Sequence, residues 1–182
     1  MTDLDLVKGC KKGRSKEQQE LFYRYRNYAM GIGLRYAKKE DEARDIVQEA
    51  FIKIYKAIGQ LKDANQLKSW IRKIVVNQCI NFYHHELRFG HEEIADGLDI
   101  HDENYEDVLD HMSNNEILKL INALPDGYRL VFNMYVIEGY SHEEIASQLG
   151  ISVVTSRTQL FKARKILKKR LTENCHEVKK LV

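Results

Sequence analysis

SHEEIASQLGISVVTSRTQL, residues 141–160, has the layout of two helices joined by a tight turn. A short helix begins after Ser141, and the small Ala146 sits where two helices must approach closely. Gly150 makes the turn, and Ser152 caps a second helix. This layout predicts a helix-turn-helix, with the second helix running from about Val153 to Leu171. On a helical wheel Val153, Leu160, Ala163, Leu167 and Leu171 cluster on one side, and Thr158, Phe161, Lys162 and Lys165 lie roughly opposite, with Arg157 at the edge. The segment carries Arg157, Lys162, Arg164, Lys165, Lys168, Lys169 and Arg170 and no acid. Such a face suits a nucleic-acid groove. Cations neutralise phosphates, Arg157 can pair with guanine, and Phe161 can touch a thymine methyl or a sugar. The plainer reading makes the lysines a solvated face and Phe161 a contact to a neighbouring helix. Arg164 leans towards the core side, which predicts a structural ion pair.

Outward from this stretch, helical spacing dominates the 182 residues, and the single proline agrees with an all-α fold. Ser15 followed by Gln18 resembles a capping box for a helix running into LFYRYRNYAMGIGLRYAKK, bent near Gly31 and Gly33. In DEARDIVQEAFIKIYKAI, Ile46, Val47, Ala50, Phe51, Ile54, Tyr55 and Ile58 form a buried stripe. The polar loop GQLKDANQLK leads to a third long helix, about Lys68 to Leu87, with Trp70, Ile71, Ile74, Val75 and Cys79 as apolar positions. Trp70 is expected in the core. Helical spacing resumes with Ile117, Leu118, Leu120 and Ile121 and restarts after Leu124, with Pro125 at the first helical position.

Between the two helical parts, HEEIADGLDIHDENYEDVLD holds Glu92, Glu93, Asp96, Asp99, Asp102, Glu103, Glu106, Asp107 and Asp110 with no Lys or Arg, which predicts a flexible acidic linker. The expected organisation is one small helical domain over 1–89, a linker over 90–112, a second small helical domain over 113–173 and a tail over 174–182. Net charge is only +2, so any pull on a polyanion must come from how charge is distributed. No membrane span or targeting segment is legible, which predicts a cytoplasmic protein. Cys10, Cys79 and Cys175 are odd in number and far apart, against a disulfide framework or a cysteine zinc site. Adjacent His84 and His85, with His91, lack the spacing of metal ligands, and the acidic segment lacks an EF-hand pattern. No nucleophile, base and metal constellation points to an enzyme. Neither a cofactor nor a metal is expected.

Taken in order, these blocks resemble the bacterial RNA polymerase sigma factors of the sigma-70 family, of the compact extracytoplasmic-function (ECF) type. ARDIVQEAFIKIY looks like region 2.2, WIRKIVVNQCINFY resembles regions 2.3 to 2.4, and LPDGYRLVF through KARKIL resembles region 4. The resemblance implies a two-domain initiation factor without catalysis. Its implied partners are core RNA polymerase, through the β′ clamp helices and the β flap, promoter DNA, and an anti-sigma factor, soluble or membrane-bound. It implies polymerase binding by Asp45, Gln48 and Glu49. Contact with the −10 element is implied for Lys62, Asp63, Ala64 and Asn65, in the loop that captures a flipped base, and for Asn77 and Asn81 on the following helix. The −35 set is Thr155, Arg157, Thr158, Phe161, Lys162 and Lys165. Asn81 and His84 stand where the family often has Asp and Arg. Val154, Ser156 and Gln159 replace the commoner Gly, Val and Arg, so promoter sequence cannot be borrowed from relatives. The competing reading is a helix-turn-helix regulator whose first domain senses a ligand or dimerises.

Overall fold

A computed structural model describes residues 1–89 and 114–180, with side chains described for 1–85 and 116–172. The chain divides into two compact units, Met1–Phe89 and Gly90–Val182. All regular structure among the described residues is helical. The acidic segment expected as a linker lies outside the described residues.

The first unit is built from α1 (Asp3–Lys11), α2 (Ser15–Tyr36), α3 (Glu40–Ala57) and α4 (Leu67–Phe89). Its core joins Leu6, Leu21, Ile32, Ile46, Ile54, Leu67, Ile71, Val75 and Val76, all at most 2 % exposed. The predicted stripe of α3 is the centre of this core: Ile46, Val47, Ala50, Phe51, Ile54 and Ile58 are buried, and only Tyr55 is half-buried. Phe51 meets Phe22 of α2 edge to face, with ring centroids 4.9 Å apart. Gly33 permits the close approach of α2 and α3, because a Cβ there would lie 3.3 Å from the Ala43 carbonyl oxygen. The helix expected to bend at Gly31 and Gly33 runs as one element through both.

Two local expectations are corrected. Ser15 is the first residue of α2 and not its cap: the N-cap is Arg14, which makes no side-chain capping bond. The chain arrives there from the left-handed Gly13 (φ 69°), so the helix can start one residue earlier than the polar signal suggested. A helix not expected from the sequence, α1, covers Asp3–Lys11. Thr2 and Asp5 cap that helix reciprocally, the Asp5 N–H donating to Thr2 Oγ1 at 3.2 Å and the Thr2 N–H to Asp5 Oδ2 at 2.9 Å. Leu6, Val7 and Cys10 bury its inner face. Burial and the neighbouring Glu17 push the Cys10 thiol above its ordinary pKa, so it behaves as an apolar side chain.

In the second unit α5 (Asn114–Asn122), α6 (Asp126–Phe132), α7 (His142–Leu149) and α8 (Val153–Lys180) follow one another, with a π-helical turn over Asn133–Ile137. Pro125 is the N-cap of α6 rather than its first residue. Arg129 is 4 % exposed and holds that junction, its Nη2 donating to Asp126 Oδ1 at 2.8 Å and Nη1 to the Leu124 carbonyl at 3.3 Å. α8 continues to Lys180, well past the expected end near Leu171.

Candidate functional site

The turn between α7 and α8 forms as its residues dictate. Ser141 Oγ accepts the Glu144 N–H at 3.2 Å and Glu144 Oε2 accepts the Ser141 N–H at 2.8 Å, a complete capping box. Gly150 ends α7 in the left-handed region at φ 68°, where any side chain would be strained. Ser152 Oγ then accepts the Thr155 N–H at 2.9 Å and opens α8. Ile145, Ala146 and Leu149 of α7 are buried, as are Leu160 and Ala163 of α8. α8 also lies along α6 and α5.

Polar contacts set the angle between the two helices as well. His142 Nδ1 lies 2.9 Å from Ser156 Oγ, and the Tyr135 ring stacks on the imidazole at a centroid distance of 4.4 Å. Burial, reinforced by Arg157 and Arg164 and opposed by Glu143, lowers the His142 pKa from its ordinary value. The neutral ring is favoured. Gln159, 3 % exposed, lies against Gly127 of α6, where a Cβ would meet its amide nitrogen at 3.1 Å. Thus Ser156 and Gln159, two of the departures from the family pattern, are interior residues.

On the opposite side of α8, Arg157 and Lys165 are exposed, and Thr155, Phe161 and Lys162 are half-buried. The expected outward position of Thr158 is corrected: its side chain is 7 % exposed. The wheel assumed a single buried stripe, whereas α8 packs against three helices, so more than one of its faces is covered. Arg157 Nη2 comes within 3.8 Å of Glu143 Oε1, with both side chains about two-thirds exposed. Solvent screens that contact, and it leaves the guanidinium available. Val154, missing from the expected set, is 70 % exposed three residues before Arg157. The spacing alone could have revealed it, since positions 154, 157, 161 and 165 share one helical face.

The first unit carries two further exposed surfaces. Asp45, Gln48 and Glu49 are all exposed on α3, directly behind buried Ile46, Val47 and Ala50. The loop joining α3 to α4 is more structured than a polar loop: two 3-10 turns, Ile58–Gln60 and Ala64–Gln66, are pinned by buried Leu61 and Leu67. Lys11 Nζ donates to the Leu61 carbonyl at 2.7 Å, and Asp63 Oδ1 accepts the Asn65 N–H at 2.9 Å. Lys62, Asp63 and Asn65 remain exposed and Ala64 half-exposed, so the loop offers polar groups from a fixed backbone. Asn77 and Asn81 are exposed one turn apart on α4. Trp70, expected in the core, is half-buried on that same face, seven and eleven residues before the asparagines. It sits at the start of α4, where the helix leaves the loop. Among the described residues no group of three or more His, Cys, Asp or Glu could hold a metal ion, and no helix is long and apolar enough to cross a membrane. His91 lies outside them.

Comparison with known proteins bears on both units. Residues 21–88 match the family described as Sigma-70 region 2, and residues 114–167 match Sigma-70, region 4. The ECF RNA polymerase sigma-E factor of Escherichia coli (strain K12) is 31% identical over 180 residues, covering 92% of this chain and 93% of the relative. The protein of that name in Haemophilus influenzae is 30% identical over 185 residues, covering 94% and 96%. A solved structure of the sigma factor RpoE in complex with the anti-sigma factor NepR from Bartonella quintana superposes with a TM-score of 0.51 at 21% identity, over 87% of this chain and 98% of that one, and supports the fold.

Proposed function

Because the chain belongs to the ECF sigma factors of the sigma-70 family, we propose that it binds core RNA polymerase through α3, opens the −10 region with the α3–α4 loop and α4, and reads the −35 element with α8. It directs promoter-specific transcription and does no chemistry of its own; the polymerase supplies catalysis. The protein works in the cytoplasm, where polymerase and promoter meet.

The observation that carries this reading is the exposed α3 face of Asp45, Gln48 and Glu49 in the same chain as the helix-turn-helix. Its apolar stripe packs into the core, with Tyr55 alone half-buried, so the polar face is free to meet a large partner. In such a partner the β′ clamp helices meet α3 and the β flap meets the second unit. A regulator that bound DNA alone would leave that face without a role. At the −10 element, Asn65 and the backbone of the fixed loop receive an extruded base, while Asn77 and Asn81 hydrogen-bond the strand beside it. Lys62, Asp63 and Ala64 shape the rim. At the −35 element Arg157 reads a base edge, Phe161 makes apolar contact, Thr155 and Lys162 approach the backbone, and Lys165 neutralises phosphate. Thr158 acts from beneath this surface, by packing.

An anti-sigma factor is the expected regulator, since a surface that recruits polymerase must be covered when transcription is not required. The direct experiment is co-purification of the chain with core polymerase. Stoichiometric retention supports the proposal, and retention on duplex DNA without any affinity for core enzyme would favour the stand-alone regulator.

A further inference from the structure

We infer that Val154 is a specificity-determining residue of the −35 contact, its methyl groups meeting the C5 methyl of a thymine in the major groove. The inference rests on the reading of α8 as the −35 helix. Val154 is 70 % exposed, the most exposed large apolar side chain among the described residues. It is the second residue of α8 and precedes Arg157 by three, Phe161 by seven and Lys165 by eleven positions, all on one face of the helix.

Neither folding nor capping accounts for it. The cap is completed by its neighbours: Ser152 Oγ accepts the Thr155 N–H at 2.9 Å, and the two hydroxyls lie 2.8 Å apart. Val154 takes no part in that arrangement and is largely out of the core. A β-branched residue also gains nothing in helix propensity at an exposed position.

The chemistry of the groove narrows what such a side chain can read. Residues at the N-terminal end of a recognition helix reach base edges. Among the groups exposed in the major groove, the thymine C5 methyl is the one that matches an apolar side chain; the others are hydrogen-bond donors and acceptors that valine would leave unsatisfied. Val154 therefore adds a thymine preference next to the base pair read by Arg157.

The test uses the full chain assembled with core polymerase on a promoter whose −35 thymines are replaced, one at a time, by deoxyuridine, which lacks only the methyl group. The native protein should lose about three- to fivefold in affinity at one of these positions, the worth of roughly one buried methyl. Val154→Ala should bind the thymine and uracil duplexes equally and retain the native melting temperature. Equal uracil penalties for native protein and Val154→Ala, or no penalty at any position, would overturn the inference and leave the function intact provided Arg157→Ala still loses −35 affinity. If Arg157→Ala also binds like the native protein, the reading of the whole face fails and this inference falls with it.

Discussion

His142 Nδ1 and Ser156 Oγ are 2.9 Å apart, and that contact joins the two helices of the helix-turn-helix at the base of the surface that carries Arg157. The imidazole is covered by Tyr135 and faces Glu143 on its own helix and Arg157 and Arg164 on α8. Its folded pKa lies below the ordinary value, so the unfolded chain binds a proton more readily than the folded one does. The stability from the neutral ring is fully present above the ordinary pKa of about 6.5 and is lost as pH falls through the lower folded value. Thermal unfolding by circular dichroism between pH 7.5 and 5 should show the second unit weakening with acid, and His142→Gln should flatten that dependence. The fluorescence of Trp70, the chain's single tryptophan, reports the first unit and should not share the His142-dependent part. An identical acid response in His142→Gln would exclude His142 as its origin.

Asp126→Ala should destabilise the second unit by about 3 kcal/mol, because the Arg129 guanidinium, its side chain 5% exposed, would lose the carboxylate that Nη2 reaches at 2.8 Å. Replacing both residues by apolar ones should cost less than the single change. Chemical denaturation of the two variants measures the difference.

The helix-turn-helix was legible in the sequence because its signals are local. Ser141, Gly150 and Ser152 each act on backbone groups within four residues, and all three are used as read. The α3 stripe was legible because one apolar face packs on one core. The misses involve information that lies farther away. α1 gave no strong apolar pattern, and it is held by distant partners, with Tyr25 Oη donating to Asp3 Oδ2 at 2.8 Å and Arg24 Nη1 to Asp3 Oδ1 at 3.0 Å. Thr158 is covered because α8 meets three helices, which a wheel of α8 alone cannot contain. Ser156 and Gln159 looked like departures from a recognition pattern, yet both point inward, to His142 and towards Gly127.

Charge reversal at Asp45 and Glu49 should abolish association with core polymerase. Both side chains are exposed, so the melting temperature should hardly change, the stability effect being about 0.5 kcal/mol or less. Loss of binding together with unfolding would mean that this part of α3 serves the core instead. Pull-down alongside thermal melts distinguishes the two.

Base reading and phosphate grip should separate along α8. Arg157→Ala should cost roughly 1 to 3 kcal/mol on the cognate −35 sequence and relax preference at one base pair. Lys165→Ala should weaken all sequences alike and reduce the salt slope by about one. Phe161→Ala should lower affinity with little change in salt slope, since an apolar contact releases no counterion. Binding to single-base variants at several salt concentrations measures all three.

Run-off transcription by core polymerase on genomic promoter fragments reads promoter-specific initiation itself. The chain should confer specific initiation on a subset of fragments that core enzyme alone does not transcribe. Asn77→Ala combined with Asn81→Ala should reduce open-complex formation there without preventing polymerase binding. Tight association with those fragments but no transcript above that of core enzyme, under conditions where a known sigma factor is active, would show that the chain binds promoters without initiating transcription.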